Sequence, residues 1–482
     1  MIDLRPVGYV IGLLVAALGL TMLVPMAVDY WAGNDHAGVF LESAILTTMT
    51  GGLIALACAN AVTRRLRIQQ IFLIASGVWA VLPVFGAIPF VEGATAASVT
   101  DAYFEAMSGL TTTGSTVFTG LDDLPAGLLL WRSMLQWFGG IGIIVVAMAF
   151  LPELRIGGMQ IFRSEAFETD GKVLPRAAEI ASRISIVYLG LTLACAGTYL
   201  AVGLDVFDAV NHAMTTIATG GFSTYDASFG AFKGPAEYVA AVFMLLASLP
   251  FVRYVQLLAG SSAPLFRDSQ ITAFVALVLI VVITITFYRL VGGGGPIEPL
   301  LRESRFNVAS IVTGTGYASA DYQLWGAFAV ALFFFLGLVG GCAGSTTCSV
   351  KVFRYQIVVI AIATQIRRIH SPHGVFLPKY QGQTLTEDVV SSVTAFMTMF
   401  FVSLGILSVL LSATGLDFVT AVSGAATAIA NVGPGLGDII GPAGNFSTLN
   451  DPAKWLLTFG MLLGRLELLV VFVLFTSRFW RT

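Results

Sequence analysis

The stretch Thr313-Gly314-Thr315-Gly316-Tyr317 is one of four short glycine-bearing segments that recur along the chain. The other three are Thr111-Thr112-Thr113-Gly114-Ser115, Thr219-Gly220-Gly221-Phe222 and Asn431-Val432-Gly433-Pro434-Gly435. One glycine of each segment aligns, at positions 114, 221, 316 and 433, so the spacings are 107, 95 and 117 residues. The spacing predicts a unit repeated four times. Backbone carbonyl groups from four such loops around one axis can replace the hydration shell of a small cation.

Composition identifies the class of protein. The 482 residues are 56% hydrophobic and 11% charged, and the mean hydropathy is +0.86. Soluble domains usually carry about a quarter charged residues, so we expect a polytopic membrane protein. The apolar run after Met1 is long and is followed by no evident cleavage site, so we interpret it as the first spanning helix. The net charge of −3 indicates no nucleic-acid partner.

Catalytic and metal-binding patterns are missing from the sequence. The four cysteines lie in apolar or glycine-rich stretches, which favours neither a disulfide framework nor a zinc site. There is no phosphate-cradling loop, metal-ligand cluster or nucleophile–base arrangement. We therefore expect a protein that is not an enzyme and has no cofactor within this chain.

Ten apolar stretches are long enough to cross a bilayer, which takes about 20 residues. They lie near 7–31, 38–62, 69–91, 127–151, 181–203, 236–260, 270–290, 324–360, 388–413 and 455–478, and the eighth is interrupted. An even number of spans places both termini on one side of the membrane.

The distribution of basic residues indicates on which side of the membrane the termini lie. They cluster after the even-numbered spans, at Arg64, Arg65, Arg67, Arg155, Arg163, Lys172, Arg176, Arg253, Arg267, Lys351, Arg354, Arg367, Arg368, Lys379, Arg478 and Arg481. The positive-inside rule then predicts cytoplasmic termini. The segments 155–183 and 367–383 are predicted docking surfaces for a soluble regulator, although contact with lipid headgroups explains their charge equally well.

A short apolar segment precedes each glycine and is too short to span. An acid opens it, 13 residues before the glycine in the pairs Asp101–Gly114, Asp208–Gly221 and Glu303–Gly316. In the fourth unit the nearest acid is Asp417, 16 residues before Gly433, so we expect that unit to be longer or offset. The pattern is typical of re-entrant half-helices, which membranes tolerate where they line a cavity or are buried in protein. An acid suits a helix N-terminus, because the dipole is positive there.

Glycine and threonine suit the loops that follow these segments. Glycine enters conformations with positive φ at little cost, and threonine can add a hydroxyl oxygen as a ligand. The alternative for any one segment is a small-residue helix-packing motif. Four segments in register, each opened by an acid, favour loops that line a pore.

Longer motifs carry a resemblance to a known family. Residues 130–142 read LWRSMLQWFGGIG, 310–318 read SIVTGTGYA, 340–346 read GGCAGST and 431–437 read NVGPGLG. These stretches resemble the TrkH/KtrB/HKT superfamily of potassium and sodium translocating proteins, and within it the TrkH/TrkG branch. The likeness covers nearly the whole chain.

The resemblance implies an all-α polytopic membrane fold. Four pseudo-symmetric helix–pore loop–helix repeats surround a central pore, and two N-terminal transmembrane helices precede them. The expected boundaries are 1–66 for the N-terminal helices and 67–155, 156–262, 263–370 and 371–482 for the four repeats.

The resemblance also implies a function and a site. Potassium passes through a selectivity filter, and the matching residues are Thr112, Thr113, Gly114, Thr219, Gly220, Gly221, Thr315, Gly316, Asn431, Val432 and Gly433. Relatives often have threonine where this chain has Gly314, which predicts a looser ligand ring. Sodium-preferring relatives tend to have serine in the first loop at the position of Gly114, so the glycine there favours potassium.

Partners and location follow from the same resemblance. It implies a homodimer in the bacterial inner membrane, in contact with lipid, that is gated by a cytoplasmic TrkA-like nucleotide-binding subunit. The nucleotide, ATP/ADP or NAD, is expected on that subunit.

The eighth span is interrupted by glycines and hydroxyl residues that cannot maintain a straight helix. The resemblance implies an intramembrane gate there, formed by Gly340, Gly341, Cys342, Ala343, Gly344 and Ser345. Lys351 follows and can extend toward the pore or the headgroups. The alternative is a kink or a cytoplasmic turn.

Arg465 lies within the last span, where ionisable groups usually face an interior or a cavity. Glu467 is two positions away, faces another side of the helix and is a poor partner. In the family this arginine projects into the pore as an electrostatic barrier. The alternatives are an arginine that snorkels to the interface or one that ties two helices together.

Other polar residues carry smaller expectations. We expect His212 to be packed or hydrogen-bonded rather than a proton relay, and His36 to be solvated in a loop. We expect Arg132 to anchor a helix or to pair with Asp122 or Asp123.

Two mechanisms remain open. One is a channel-like potassium translocator, and the other is a secondary transporter that couples potassium to protons or sodium. Repeats that run in the same direction, with few acid pairs along the spans, favour the pore.

Overall fold

The computed structural model describes residues 2–61, 66–149, 157–162 and 173–481. The basic residues Arg64, Arg65, Arg155, Arg163 and Lys172 lie outside these ranges, as does the side chain of Arg176.

Three helices precede the repeats. Arg5–Thr21 and Leu23–Trp31 form one nearly continuous span, and Ala37–Cys58 returns beside it. Glycines allow close contact: a Cβ atom added at Gly51 would lie 2.4 Å from the amide nitrogen of Ala16. Small residues at such crossings let two helix backbones approach, so van der Waals contact holds them together in lipid.

Four units follow, each with a first helix, a short helix, a loop and a second helix. The first helices are Ile68–Gly86 with Ile88–Glu92, Val173–Ala201, Ser269–Gly292 and Glu387–Ala413. The short helices are Val99–Leu110, Val206–Ile217, Ile297–Val312 and Phe418–Ala430. The second helices are Ala126–Ala149, Pro235–Ala247 with Phe251–Leu258, Ala327–Gly337 with Val352–His370, and Asp451–Arg465 with Leu469–Leu474. The predicted fold class is confirmed.

Minor elements join these helices. They are the α-helical turns Ala263–Arg267, Gly437–Ile440 and Ser477–Trp480 and the 3-10 turns Ala59–Ala61, Leu121–Asp123, Met159–Phe162, Ser228–Ala231 and Tyr322–Trp325. Strands β1 (Lys379–Tyr380) and β2 (Gln383–Thr384) form an antiparallel hairpin.

Seven helices in the described part of the chain are long and apolar enough to cross a membrane. The predicted spans 236–260, 324–360 and 455–478 are each divided into two helices, and for 324–360 the sequence predicted this interruption. The first of these bends by 88° between Ala247 and Phe251, where Pro250 cannot donate a backbone hydrogen bond. The last breaks at Glu467 and Leu468, whose φ values are 58° and 43°. The second helices of units two to four therefore turn inside the protein.

Three of the four short helices begin at a common position. Ser98, Asp205 and Asp417 cap three of them, each 16 residues before its aligned glycine, and accept backbone hydrogen bonds from the first turn. The fourth unit is therefore not offset, contrary to the sequence prediction. The third helix is longer and begins at Ile297, so Glu303 lies in its second turn and not at its start.

The C-terminal ends of two short helices rest on glycines of second helices. A Cβ atom at Gly139 would lie 1.9 Å from the carbonyl oxygen of Leu110, and one at Gly464 would lie 2.0 Å from that of Ile429. These glycines let the negative ends of the helix dipoles approach the centre of the molecule.

We expect Gly139→Val to lower the stability of the folded protein. The added side chain would overlap the Leu110 carbonyl group, and overpacking of this kind costs about 1–3 kcal/mol. A thermal unfolding midpoint in detergent measures the loss. Gly197→Ala is the control, because nothing lies within 4 Å of a Cβ atom there. Equal midpoints for both variants would contradict the packing role of Gly139.

Candidate functional site

The four loops share one backbone pattern. Each has two residues with positive φ separated by one residue: Thr112 and Gly114, Thr219 and Gly221, Gly314 and Gly316, Asn431 and Gly433. Alternation of left-handed and right-handed residues can point successive carbonyl groups the same way, which carbonyl-lined ion sites require.

The first left-handed position was not recognised from the sequence. Thr112, Thr219 and Asn431 have φ values of 52°, 50° and 52°, which side chains with a Cβ atom adopt at a cost. Gly314 takes the equivalent position at 71° without that cost. A glycine there suits the backbone of the third loop. The signal was in the sequence, since the residue two before each aligned glycine is glycine, asparagine or threonine.

The loops contact one another in a closed cycle. Cβ atoms added at the aligned glycines would meet the carbonyl oxygen of the next loop: Gly114 meets Gly220 at 2.2 Å, Gly221 meets Thr315 at 1.9 Å, Gly316 meets Val432 at 2.0 Å and Gly433 meets Thr113 at 3.0 Å. We call the carbonyl groups of Thr113, Gly220, Thr315 and Val432 the carbonyl ring. The predicted filter residues are thus brought together around one axis.

Side chains join the first loop to the fourth. The Ser115 hydroxyl donates to the carbonyl oxygen of Gly433 at 2.8 Å, and the Asn431 amide donates to the Thr113 hydroxyl at 2.8 Å. The Thr113 hydroxyl also lies 2.7 Å from that of Thr111. These bonds fix the spacing between neighbouring loops.

A buried ion pair joins the first loop to the second. The Arg132 Nε donates to Glu105 at 2.9 Å, and both side chains are nearly inaccessible. Glu105 also accepts from the backbone of Val117, while Arg132 donates to the carbonyl oxygen of Ser223 and lies 4.2 Å from the ring centre of Phe222. The predicted pairing of Arg132 with Asp122 or Asp123 was wrong, because the arginine points inward to the loops.

The prediction that His212 is packed or hydrogen-bonded is confirmed, whereas the prediction that His36 is solvated was wrong. His212 is buried, with ring nitrogens 2.9 Å from the carbonyl oxygen of Asp208 and 3.0 Å from the Ser223 hydroxyl. His36 is also buried, 3.1 Å from Asp29, and its other nitrogen accepts from the backbone of Ala94. The short turn before the third helix brings His36 inward, which loop composition alone did not indicate.

The glycine-rich loop (residues 338–351) joins the two halves of the third unit's second helix. Every residue from Gly340 to Thr347 is buried, so this segment is not an exposed turn. Gly340 donates to the carbonyl oxygen of Val350 at 2.8 Å, and Cys342 donates to that of Ser248 at 3.0 Å. The loop is therefore folded back on itself and held at the 88° bend of the second unit.

Cys348 places the glycine-rich loop directly beside the filter segments. Its sulfur lies 3.5 Å from the Thr112 hydroxyl, and a Cβ atom at Gly314 would lie 3.5 Å from its amide nitrogen. Sequence reasoning did not assign Cys348 to the site. Its position at the end of a glycine-rich break was the available signal.

Arg465 contacts the same loop. Its Nη1 atom lies 2.7 Å from the Cys348 sulfur, and Nη2 donates to the carbonyl oxygen of Gly139 at 2.9 Å. The side chain is 3% exposed and its Nε atom has no hydrogen-bond partner within the described part of the chain. The arginine is therefore buried at the centre and does not snorkel to an interface.

Glu467 does not pair with Arg465, as its spacing predicted, and it pairs with another arginine. It binds Arg354, whose Nε donates to the carbonyl oxygen of Gly157 at 2.9 Å. Lys351 binds the Thr347 backbone and hydroxyl within the glycine-rich loop. A cavity next to the loop is lined in part by Lys351, Arg354, Arg465 and Glu467, so three of its four charged residues are cationic.

The hairpin connects to the glycine-rich loop through the side chains of Gln381, Asp268 and Gln270. Gln381 donates to Asp268 at 3.0 Å, and Gln270, two residues further on, accepts from the backbone of Ala343 at 2.9 Å. Arg253 holds Asp268 from the opposite side at 2.8 Å. The segment 268–270 therefore joins the hairpin to the glycine-rich loop.

Comparisons with known proteins agree over the full length. The family model described as TrkH, cation transport protein, matches residues 36–481. The chain is 44% identical to the Trk system potassium uptake protein TrkI of Halomonas elongata, over 99% of this chain and 97% of that one. It is 35% identical to the Trk system potassium uptake protein TrkH of Escherichia coli K12, over 99% of both. The crystal structure of the potassium transporter TrkH from Vibrio parahaemolyticus matches with a TM-score of 0.91 and 34% identity, covering 100% of both chains.

We expect Arg132→Met to destabilise the protein more than the double variant Arg132→Met with Glu105→Gln. The single change leaves a buried carboxylate without its cation, which costs about 3–5 kcal/mol, whereas the double change removes both charges. Thermal unfolding in detergent measures the difference. A double variant less stable than Arg132→Met would contradict the role of this pair.

Proposed function

The chain belongs to the TrkH family of cation transport proteins, and on that premise we propose that it takes up potassium through a central pore. Membership makes it a multi-pass membrane ion transporter rather than an enzyme. The proposed location is the bacterial inner membrane.

One observation carries the proposal. The carbonyl ring forms a closed cycle of four oxygens, one from each loop, each in contact with the aligned glycine of a neighbour. Carbonyl oxygens in such a ring can replace the water around a dehydrated cation, and their number and field strength set which cation is preferred. The remaining residues of the proposed filter position this ring. They are Thr112, Gly114, Thr219, Gly221, Gly316, Asn431 and Gly433.

Potassium is the proposed ion. The relatives with matching full-length chains are named as potassium uptake proteins, and all four loops keep the aligned glycine. Gly114, Gly221 and Gly316 are needed for space as well as for backbone conformation, because a side chain there would displace a ring carbonyl group.

The glycine-rich loop is the proposed gate, acting together with Arg465. Cys348 lies against Thr112 on one side and against the Arg465 guanidinium on the other. A buried positive charge next to the path opposes a cation until the loop and the arginine move, because charges interact strongly where water is excluded. Lys351 adds a second positive charge at the same loop.

Regulation is proposed to come from another chain. A TrkA-like cytoplasmic subunit that binds ATP/ADP or NAD would act on a homodimer of this protein, whose termini and basic loops face the cytoplasm. The contacts from Gln381 to Asp268 and from Gln270 to Ala343 offer a route from the surface to the gate. Lipid surrounds the exposed apolar faces of the spanning helices.

We expect vesicles containing the purified protein to pass potassium faster than sodium. We expect Gly316→Ser to lower potassium flux roughly tenfold, which corresponds to a free-energy difference of about 1.4 kcal/mol. The serine Cβ atom would lie 2.0 Å from the Val432 carbonyl oxygen. The matched control is Gly433→Ser, where the nearest ring oxygen lies 3.0 Å away and the loss should be smaller. Equal potassium and sodium flux in wild type would rule out the potassium proposal.

We expect Arg465→Ala to raise cation flux in the same assay, because it removes the positive charge next to Cys348. Arg465→Lys should stay close to wild type, since it keeps the charge. Arg289→Met serves as the control, because Arg289 pairs with Glu303 and lies over Trp325, away from the gate. Unchanged flux in Arg465→Ala would argue against the barrier.

A further inference from the structure

The second loop differs from the others at the ring position. The residue before the aligned glycine is Thr113 in the first loop, Thr315 in the third and Val432 in the fourth, but it is Gly220 in the second. Gly220 is not among the residues with positive φ, so its backbone does not require glycine. Space must be the reason for a glycine at this position.

Gln136 occupies that space. A Cβ atom at Gly220 would lie 2.4 Å from both the Cδ and Oε1 atoms of this glutamine, which projects from the helix Ala126–Ala149 and is fully buried. The loop gives up its own side chain, and a side chain from a neighbouring helix takes its place.

Both polar atoms of the Gln136 side-chain amide form hydrogen bonds with the second loop. Its Nε2 donates to the carbonyl oxygen of Gly220 at 2.6 Å, and its Oε1 accepts from the backbone amide of Phe222 at 3.0 Å. The two bonds lie on either side of Gly221, the aligned glycine of this loop. One side chain therefore fixes the peptide groups before and after the filter glycine.

The carbonyl group that Gln136 binds belongs to the carbonyl ring. Within the described ranges, Gly220 has the one ring oxygen that accepts a side-chain hydrogen bond. A carbonyl oxygen has two lone pairs, so the amide occupies one and leaves the other for a cation. The ring is thus chemically uneven at its second position.

We infer that Gln136 is a specificity-determining residue of the pore, because it sets the position and the donor strength of the Gly220 carbonyl group. The inference rests on the proposed function. Selectivity depends on how many carbonyl dipoles meet the ion and on how strongly they act. Without the amide, the Gly220 carbonyl group is free to move toward a smaller ion, and sodium is rejected less strongly.

Gln136→Met tests this with a side chain of similar length that forms neither bond. In vesicles, the ratio of potassium to sodium flux should fall roughly fivefold, the factor that matches loss of one hydrogen bond of about 1 kcal/mol. Gln323→Met is the matched control, because Gln323 binds both backbone groups of Gly437 in the same way but outside the ring. Its flux ratio should equal that of wild type.

The outcomes separate the inference from the proposed function. A wild type that passes both ions equally overturns the potassium proposal and the inference together. A selective wild type with an equally selective Gln136→Met variant overturns the inference alone.

A compensating pair tests the same inference when Gln136→Met fails to fold. Gly220→Thr restores the residue of the first and third loops but collides with Gln136, so potassium flux should be lost. Adding Gln136→Ala removes the collision, so potassium flux should recover at least in part, but the ratio of potassium to sodium flux should stay below that of wild type because the amide is absent. A double variant as selective as wild type would contradict the inference. A double variant no better than Gly220→Thr, or a Gly220→Thr variant like wild type, would contradict the inference.

Discussion

Four backbone oxygens, one from each loop, contact the glycine of the neighbouring loop, and much of the structure serves to keep them there. The carbonyl ring leaves no room for a side chain at three of the aligned glycines, Gly114, Gly221 and Gly316. An added Cβ atom there would lie within 2.2 Å of a carbonyl oxygen. Capped short helices point toward it, glycines on second helices let those helices approach, and Glu105 and Arg132 hold two loops from behind. A cation site made of backbone needs this surrounding support because its ligands cannot be oriented by their own side chains.

The position of the proposed gate depends on the same close packing. The glycine-rich loop can reach the filter segments because small residues let it fold back inside the protein, where it contacts Ser248 at the bend of the second unit. Cys348 then separates Thr112 from Arg465. The proposed filter and the proposed gate are therefore in direct contact.

Sequence reasoning gave the four units and the positions of the four glycine-bearing loops because glycine spacing and hydropathy are local signals. It missed contacts between distant segments, such as Arg132 with Glu105, His36 with Asp29 and Gln136 with Gly220. It also placed Glu303 at a helix start, because Glu303 precedes its aligned glycine by 13 residues, as Asp101 and Asp208 do. The third helix is longer and begins earlier, so Glu303 lies in its second turn. Periodicity locates elements, whereas the partner of a buried polar group depends on how the elements pack.

The four loops belong to one chain, and this has a consequence for how the ring can change over generations. In a pore built from four identical subunits, each substitution alters every loop at once. Here a single codon change alters only one of the four loops, and Gly220 and Gly314 each differ from the equivalent residues of the other loops. The ion preference of the proposed filter can therefore be adjusted in small, independent steps, with three unchanged loops preserving transport while the fourth varies.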